Sequence, residues 1–268
     1  MNKDVSLLMS IHQRDDIEYK FQKVIESVFT NSYIPTYFLL LIDGPINTNF
    51  KEKINQLRNQ FGFQIYHHPK NIGLANILNI GLTKISTKWV IRADGDDINL
   101  SKRFKTLVDN INTNISVIGS FTEEIDENNK KRIKKVPVNN YQIKKYSKYR
   151  NPFNHNSVMY QVDHILKVGG YPDLYLKEDY GLWVKLLSNN FKCYNIPEVL
   201  VQVSFDNRSY YRRAGMKYLK SDLDLIKLQY SEGQINFLEK LVISFIKFCL
   251  FITPIFVKKL IYDVLRSR

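Results

Sequence analysis

An α/β fold on a mostly parallel sheet is predicted by three observations. Short apolar runs alternate with amphipathic helical stretches through the first hundred residues. Each run ends on a turn or a polar group. The run at Trp89, in W-V-I-R-A-D-G-D-D, stops on Asp94, Asp96 and Asp97. Strands that alternate with helices build βαβ units, and such sheets gather their functional residues at the carboxyl ends of the strands.

The elements follow in order. Val5 to Ile11 is a buried-type strand, and Ile17, Phe21, Val24, Ile25 and Val28 mark a helix face within Ile17 to Thr30. Tyr37 to Ile42 is a second strand, stopped by Asp43-Gly44-Pro45. Phe50, Ile54, Leu57 and Phe61 define the next helix, Phe63 to Tyr66 a third strand, Gly73 to Ile85 a helix, and Trp89 to Arg92 the fourth strand. After Asp97, Phe104, Leu107, Val108 and Ile111 form another helix face. Ser116 to Gly119 reads as a short strand, and Phe121 to Ile125 with Arg132 to Val138 as a polar hairpin. A strand at Val158 to Tyr160, a helix at His164 to Val168, the turn Gly169-Gly170-Tyr171-Pro172 and a helix at Tyr180 to Ser188 complete a mixed second half. No linker divides the halves.

Composition narrows the class. The 268 residues carry 44% hydrophobic and 13% aromatic side chains, enough for a full core. Cys193 and Cys249 match no metal-ligand or disulfide spacing, which suits a reducing compartment. The opening M-N-K-D-V-S-L-L-M-S reads as a first strand rather than an export signal. A net charge of +13 asks for a polyanionic partner. No helix-turn-helix, zinc-finger, RNP or KH pattern is present, so nucleic acid is not the expected partner.

The C-terminal stretch is different. Tyr211 to Tyr230 reads as a basic helix, and Leu241 to Val257 is apolar apart from Ser244, Lys247 and Thr253. As a helix it would extend ~26 Å, short of a bilayer core of roughly 30 Å, and a central lysine adds about 3 kcal/mol against spanning. Lys240, Lys247, Lys258, Lys259, Arg266 and Arg268 oppose only Glu239 and Asp263. An amphipathic helix lying on an anionic membrane surface fits this pattern, and a helix packed on the protein or in a dimer is the alternative.

Several side chains carry potential chemistry. Asp94 and Asp96, two apart with Gly95 between them, suit a hard cation such as Mg²⁺ that also holds a diphosphate; the same aspartates could cap the next helix, as Asp97 is expected to do. Asn71 and Gly73 open a helix whose N-terminus can meet a phosphate or sugar, although N-I-G-L-A-N is neither G-x-G-x-x-G nor a P-loop. Glu178 and Asp179 are either capping charges or a general base for a hydroxyl nucleophile. His155 is a phosphate contact or a loop histidine. Arg212, Arg213 and Lys217 either clamp a pyrophosphate or form a solvated face.

The ordered set V-S-L-L-M-S-I-H, I-D-G-P, N-I-G-L-A-x-x-L-N-x-G, R-A-D-G-D-D and K-E-D-Y-G-L-W resembles the family 2 glycosyltransferases over roughly Val5 to Ser188. D-G-P, H-N-S-V-M, G-G-Y-P-D and Y-R-R-A-G-M-K-Y are similar to the bacterial O-antigen and amylovoran group, which includes β-1,3-glucosyl- and galactosyltransferases acting on GlcNAc-diphospho-undecaprenol. The resemblance implies a GT-A fold, a Rossmann-like mixed sheet, over residues 1–205. Residues 1–97 would hold the nucleotide sugar and 98–205 the acceptor, with a membrane-associating basic helical region at 206–268.

It also implies roles. Asp43 and the backbone near Ser10 to His12 would hold uracil, Asp94 the ribose, and Asp96, with Asp94, Mn²⁺ or Mg²⁺. Asp179, with Glu178 beside it, would be the base; Arg212, Arg213 and His155 would meet a diphosphate. The substrates would be a UDP-hexose and an undecaprenyl-diphosphate-linked acceptor, at the cytoplasmic face of a bacterial inner membrane. Two departures stand out: Asn156 replaces the usual proline of H-P-S-V-M, and R-R-A-G replaces R-R-G-G. Neither is expected to touch the metal or base. A nucleotidyltransferase, or a non-catalytic nucleotide-binding module on a membrane, is the competing reading.

Overall fold

The computed structural model describes residues 4–204, 215–254 and 257. Four parallel strands make its first half: β1 (Val5–Ile11), β2 (Tyr37–Asp43), β3 (Gln64–His68) and β4 (Trp89–Asp94), linked by α1 (Asp15–Phe29), α2 (Thr48–Phe61) and α3 (Leu74–Thr83). The second half adds β5 (Ile98–Asn99), α4 (Arg103–Asp109), β6 (Val117–Ile125), β7 (Lys131–Lys134) and α5 (Asn140–Tyr146). A short 3₁₀ turn (His155–Ser157), β8 (Met159–Gln161), α6 (Val162–Lys167), α7 (Glu178–Ser188) and β9 (Cys193–Ser204) follow. The strands join in one mixed sheet of order β3-β2-β1-β4-β8-β6-β9-β5, with β7 paired to β6.

Alternation explains why the central strands are apolar on both faces. Leu7, Met9 and Ile11 of β1 join Phe38, Leu40 and Ile42 of β2 in a core under α1, α2 and α4. Leu8, Leu39 and Leu41 point the other way, into a core built with α3, α6 and α7. A parallel sheet covered on both sides has no wet face to record in a period-two pattern. The register sets Ser10 of β1 beside Asp94 of β4, at the carboxyl edge where Asp43 ends β2.

Gly95 shows why the turn after β4 needs glycine, since an added Cβ would stand 2.3 Å from Ile11 Cγ2. Gly95→Ala is therefore expected to cost ~1–3 kcal/mol of overpacking, read as a lower denaturant midpoint.

The second half differs from the sequence expectation in several segments, among them the short strand β5 and the shorter β7. Ser116 to Gly119 and Phe121 to Ile125 are one strand, β6, kinked by register shifts around Phe121. Strand β9 has no counterpart among the expected elements, because Pro197 and Glu198 interrupt its pattern; both fall between the pairs Ile196 with Ser120 and Val199 with Phe121, where a bulge relieves proline of its ladder bond. Helix α5 is short and lysine-rich, yet Asn139 and Gln142 form a capping box at its start, a signal present in N-N-Y-Q.

Two C-terminal helices, α8 (Met216–Ser231) and α9 (Phe237–Ile252), pack on the second half of the fold. Leu225 of α8 joins Tyr180 and Val184 of α7. Gln229 Nε2 donates to the carbonyls of Ser147 and Lys148, both at 3.1 Å, and Lys148 pairs with Glu239 at 2.7 Å. Ile243 of α9 is buried with Ile226 and Ile235, whereas Leu238, Phe245 and Ile252 are 70%, 68% and 63% exposed. The helix stops at Thr253-Pro254. Among the described residues no helix is long and apolar enough to cross a membrane.

Candidate active site

The carboxyl edge of the sheet opens into a cavity of about 1660 Å³. Ser10, His12, Asp43, Asn71, Gly73, the three aspartates after β4, His155, Glu178 and Asp179 all line it. Residues separated by more than 160 positions in the chain thus share one chamber. Arg212 and Arg213 lie outside the described residues.

The acidic cluster is the densest feature. Asp94, Asp96 and Asp97 each offer a carboxylate oxygen within 4.8 Å of the others. Burial, then the Asp94 carboxylate, raises the pKa of Asp96; burial, then Asp94 and Asp96, holds Asp97 well above the usual carboxylate range. Crowded like charges that resist ionising together are short of positive charge, and hard oxygen donors at this spacing fit a divalent cation. Arg14 Nη2 reaches Asp96 Oδ2 at 3.1 Å and Asp16 Oδ2 at 2.5 Å. Arg92, inside the sheet, pairs with Asp94 Oδ2 at 2.5 Å. Burial alone would weaken the Arg92 charge, but Asp94 outweighs it.

Asp97 does not cap the following helix. Strand β5 intervenes, α4 begins at Arg103, and the buried Asp97 accepts a hydrogen bond from Asn156 Nδ2. Through that contact Asn156, the residue standing where the resemblance expects proline, meets the acidic cluster at Asp97. Arg103 fixes the same corner. Fully buried, it donates to the carbonyls of Arg92 at 2.6 Å and Asn156 at 2.8 Å, and to Asn99 Oδ1; burial pushes its pKa down to about 9.

Asp43 ties β2 to the start of α3. Its two oxygens accept from the backbone N–H groups of Ile72 at 2.8 Å and Gly73 at 3.0 Å, while Asn71 Nδ2 donates to the Asp43 carbonyl at 3.2 Å. Gly73 has φ +85°, which lets the chain turn into the helix there. The Gly73 N–H is thus engaged by Asp43. Burial, then Arg14, lowers the pKa of His12.

Across the cavity, α7 presents Glu178 and Asp179 in its first turn, where the helix dipole favours negative charge. Asp179 Oδ2 accepts from Asn151 Nδ2 at 2.6 Å. Burial, then the adjacent Asp179, pushes Glu178 up to about 7. His155 Nε2 is 2.9 Å from Tyr171 Oη, and its ring packs against Tyr171 and Trp183. Burial, then Arg92, holds its pKa well below 6.5.

Arg14, Arg92, Arg103 and Asn151 were not among the expected site residues. Arg92 had a readable signal, sitting two residues before Asp94 on the same side of β4. Asn151 and Arg103 meet the site only through chain crossings that no local pattern records.

The mixed sheet with a cavity at its carboxyl edge is the architecture of a GT-A fold. Residues 6–167, more than half of the chain, match the profile of Glycosyl transferase family 2. The chain is 37% identical over 260 residues to the UDP-Gal:alpha-D-GlcNAc-diphosphoundecaprenol beta-1,3-galactosyltransferase of Escherichia coli, covering 95% of this chain and 91% of that protein. It is 28% identical over 260 residues to the amylovoran biosynthesis glycosyltransferase AmsE of Erwinia amylovora, covering 96% and 97%. The crystal structure of S. aureus TarS 1-349 in complex with UDP-GlcNAc superposes with a TM-score of 0.65 at 12% identity, over 85% of this chain and 69% of that one. The chain belongs to glycosyl transferase family 2, and it is an enzyme.

Proposed function

We propose that this enzyme moves a hexose, glucose or galactose, from a UDP-sugar to a lipid-diphosphate-linked sugar. GlcNAc-diphospho-undecaprenol is the acceptor and a β-1,3 linkage the product, in the assembly of a bacterial surface polysaccharide. The observation that carries the reading is one cavity holding an acidic cluster on the sheet side and an acidic helix start opposite. The relative from Escherichia coli, with its printed donor and acceptor, supports the substrate class.

Each residue has a task in this reading. Asp43 and the Ser10 to His12 segment hold the uracil, and Asp94 orients the ribose. Asp96 and Asp94, with Asp97 behind them, hold Mn²⁺ or Mg²⁺, which when bound neutralises charge developing on the departing diphosphate. Asp179, positioned by Asn151 and flanked by Glu178, takes the proton of the acceptor hydroxyl. The hydroxyl oxygen bonds to the anomeric carbon from the face opposite UDP, the bond to the diphosphate oxygen breaks, and its electron pair leaves with UDP. Configuration is inverted.

Proton acceptance sets the pH profile. A carboxyl pair with one member pushed up to about 7 holds a proton below that value and releases it above. Transfer is expected to rise as pH increases from 6 to 8, with the rise moved to lower pH by Glu178→Gln, which removes the neighbouring charge; initial rates across that range test it.

The partly uncovered α9 supports association with an anionic membrane surface, the cytoplasmic face of the inner membrane. Its exposed leucine, phenylalanine and isoleucine side chains would enter the interface while Lys240 meets headgroups; the further cations Lys258, Lys259, Arg266 and Arg268 lie outside the described residues. A panel of UDP- and GDP-sugars with Mn²⁺ and a GlcNAc-diphospho-lipid analogue tests the function. Transfer from UDP-glucose or UDP-galactose is expected, and transfer from GDP-sugars alone would overturn the donor assignment.

A further inference from the structure

The cavity is polarised. Its sheet side carries the three clustered aspartates, but where the C-terminal helices close it the charge reverses. Lys177, the residue before α7, and Lys247, on α9, both line the cavity, and both ion-pair with one carboxylate oxygen, Oδ1 of Asp222 on α8, at 2.9 Å and 3.2 Å. Lys177 Nζ also donates to Tyr218 Oη at 2.7 Å. Asp222 and Lys177 are only 5% and 8% exposed. Two ammonium groups on one buried carboxylate leave a surplus positive charge where the dielectric is low, and an anion delivered through the cavity would balance it.

Lys247 is also an odd residue for its helix. Leu241, Phe245 and Phe248 of α9 are at least half exposed, yet Lys247 in their midst turns inward to Asp222 and the cavity. One helix therefore joins an uncovered apolar face to a cationic corner of the site.

Resting on the glycosyltransfer reading above, we propose that Lys247 and Lys177 form the subsite for the acceptor's diphosphate, with the hydrocarbon chain leaving along α9. Asp222 holds the two ammonium groups apart from the acidic cluster until the diphosphate arrives. The acceptor sugar, attached to that diphosphate, then extends from Lys177 toward its sequence neighbours Glu178 and Asp179. The donor's diphosphate goes to the opposite, aspartate side with its cation, so each diphosphate has its own counter-charge.

The test uses the full chain with Lys247→Met and Lys247→Arg, a UDP-hexose, and two acceptors: GlcNAc-diphosphate carrying a short alkyl chain, and the GlcNAc alkyl glycoside without phosphate. Lys247→Met should raise KM for the diphosphate acceptor ~10-fold or more, with kcat and the KM of the donor near wild type. Any transfer to the alkyl glycoside should be unchanged, and Lys247→Arg should restore KM. An unchanged KM for the diphosphate acceptor in Lys247→Met overturns the subsite and leaves the glycosyltransfer reading intact. So does an equal rise in KM for donor and acceptor. A wild-type enzyme that transfers to no diphosphate acceptor overturns both.

Discussion

Asp179→Ala is expected to lower kcat for hexose transfer by roughly 10²- to 10⁴-fold, the usual contribution of a positioned general base. UDP binding, measured by calorimetry, should stay near wild type. The distinction follows from placement. Asp179 lies in the first turn of α7, across the cavity from the aspartates that end β4, and it makes none of the uracil or diphosphate contacts proposed above. Its partner Asn151 holds the side chain, which adds a second readout: Asn151→Ala should lower kcat less than Asp179→Ala, because it loosens the base without removing it. The fold should survive both changes, since α7 is anchored by Tyr180, Leu182, Trp183, Val184 and Leu186, all buried. Wild-type turnover in Asp179→Ala would remove it from the chemistry.

Asp96→Ala is expected to abolish metal-stimulated transfer while leaving the protein as stable as wild type or more so. Burial and Asp94 already make the ionised form of Asp96 costly, and Asp96 in turn raises Asp97. Deleting one of three crowded carboxylates relieves repulsion, whereas Arg14 keeps Asp16 as a partner. The activity loss should reach ~10³-fold, because counter-charge on a departing diphosphate contributes several kcal/mol to the transition state. Loss of function without loss of stability is the signature of residues retained for chemistry. Thermal unfolding read beside a Mn²⁺ titration of transfer separates the two effects; a large drop in melting temperature would instead mark Asp96 as structural.

The first half of the fold was legible because its signals are local. Four strands and three helices follow from apolar runs and 3.6-residue spacing, and the parallel sheet follows from their alternation. The second half is governed by long-range pairing: β9 hides behind Pro197, and β6 is bent at Phe121 against a strand some seventy residues later. The same divide runs through the site. Asp43, Asp94 and Asp96 announce themselves at strand ends, and Glu178-Asp179 at a helix start. Their partners Arg103, Asn151 and Asn156 do not, because buried hydrogen bonds across the fold leave no periodic trace. Asp97 is instructive, since adjacency suggested a helix cap and burial made it part of the acidic cluster instead. The C-terminal segment read as a helix lying on a membrane surface, with packing on the protein or in a dimer as the alternative; in the structure Ile243 packs against Ile226 and Ile235, and Lys247 lines the cavity.

The most direct measurement is the structure of the product. Purified enzyme would be incubated with UDP-galactose or UDP-glucose, Mn²⁺ and a GlcNAc-diphospho-lipid analogue, with UDP release and the anomeric configuration and linkage of the product determined by NMR. One UDP released per hexose transferred, with a β-1,3-linked hexose formed from the α-linked donor, is the predicted result. Retention of the α configuration, or UDP-sugar binding with no UDP released in the presence of acceptor, would contradict it.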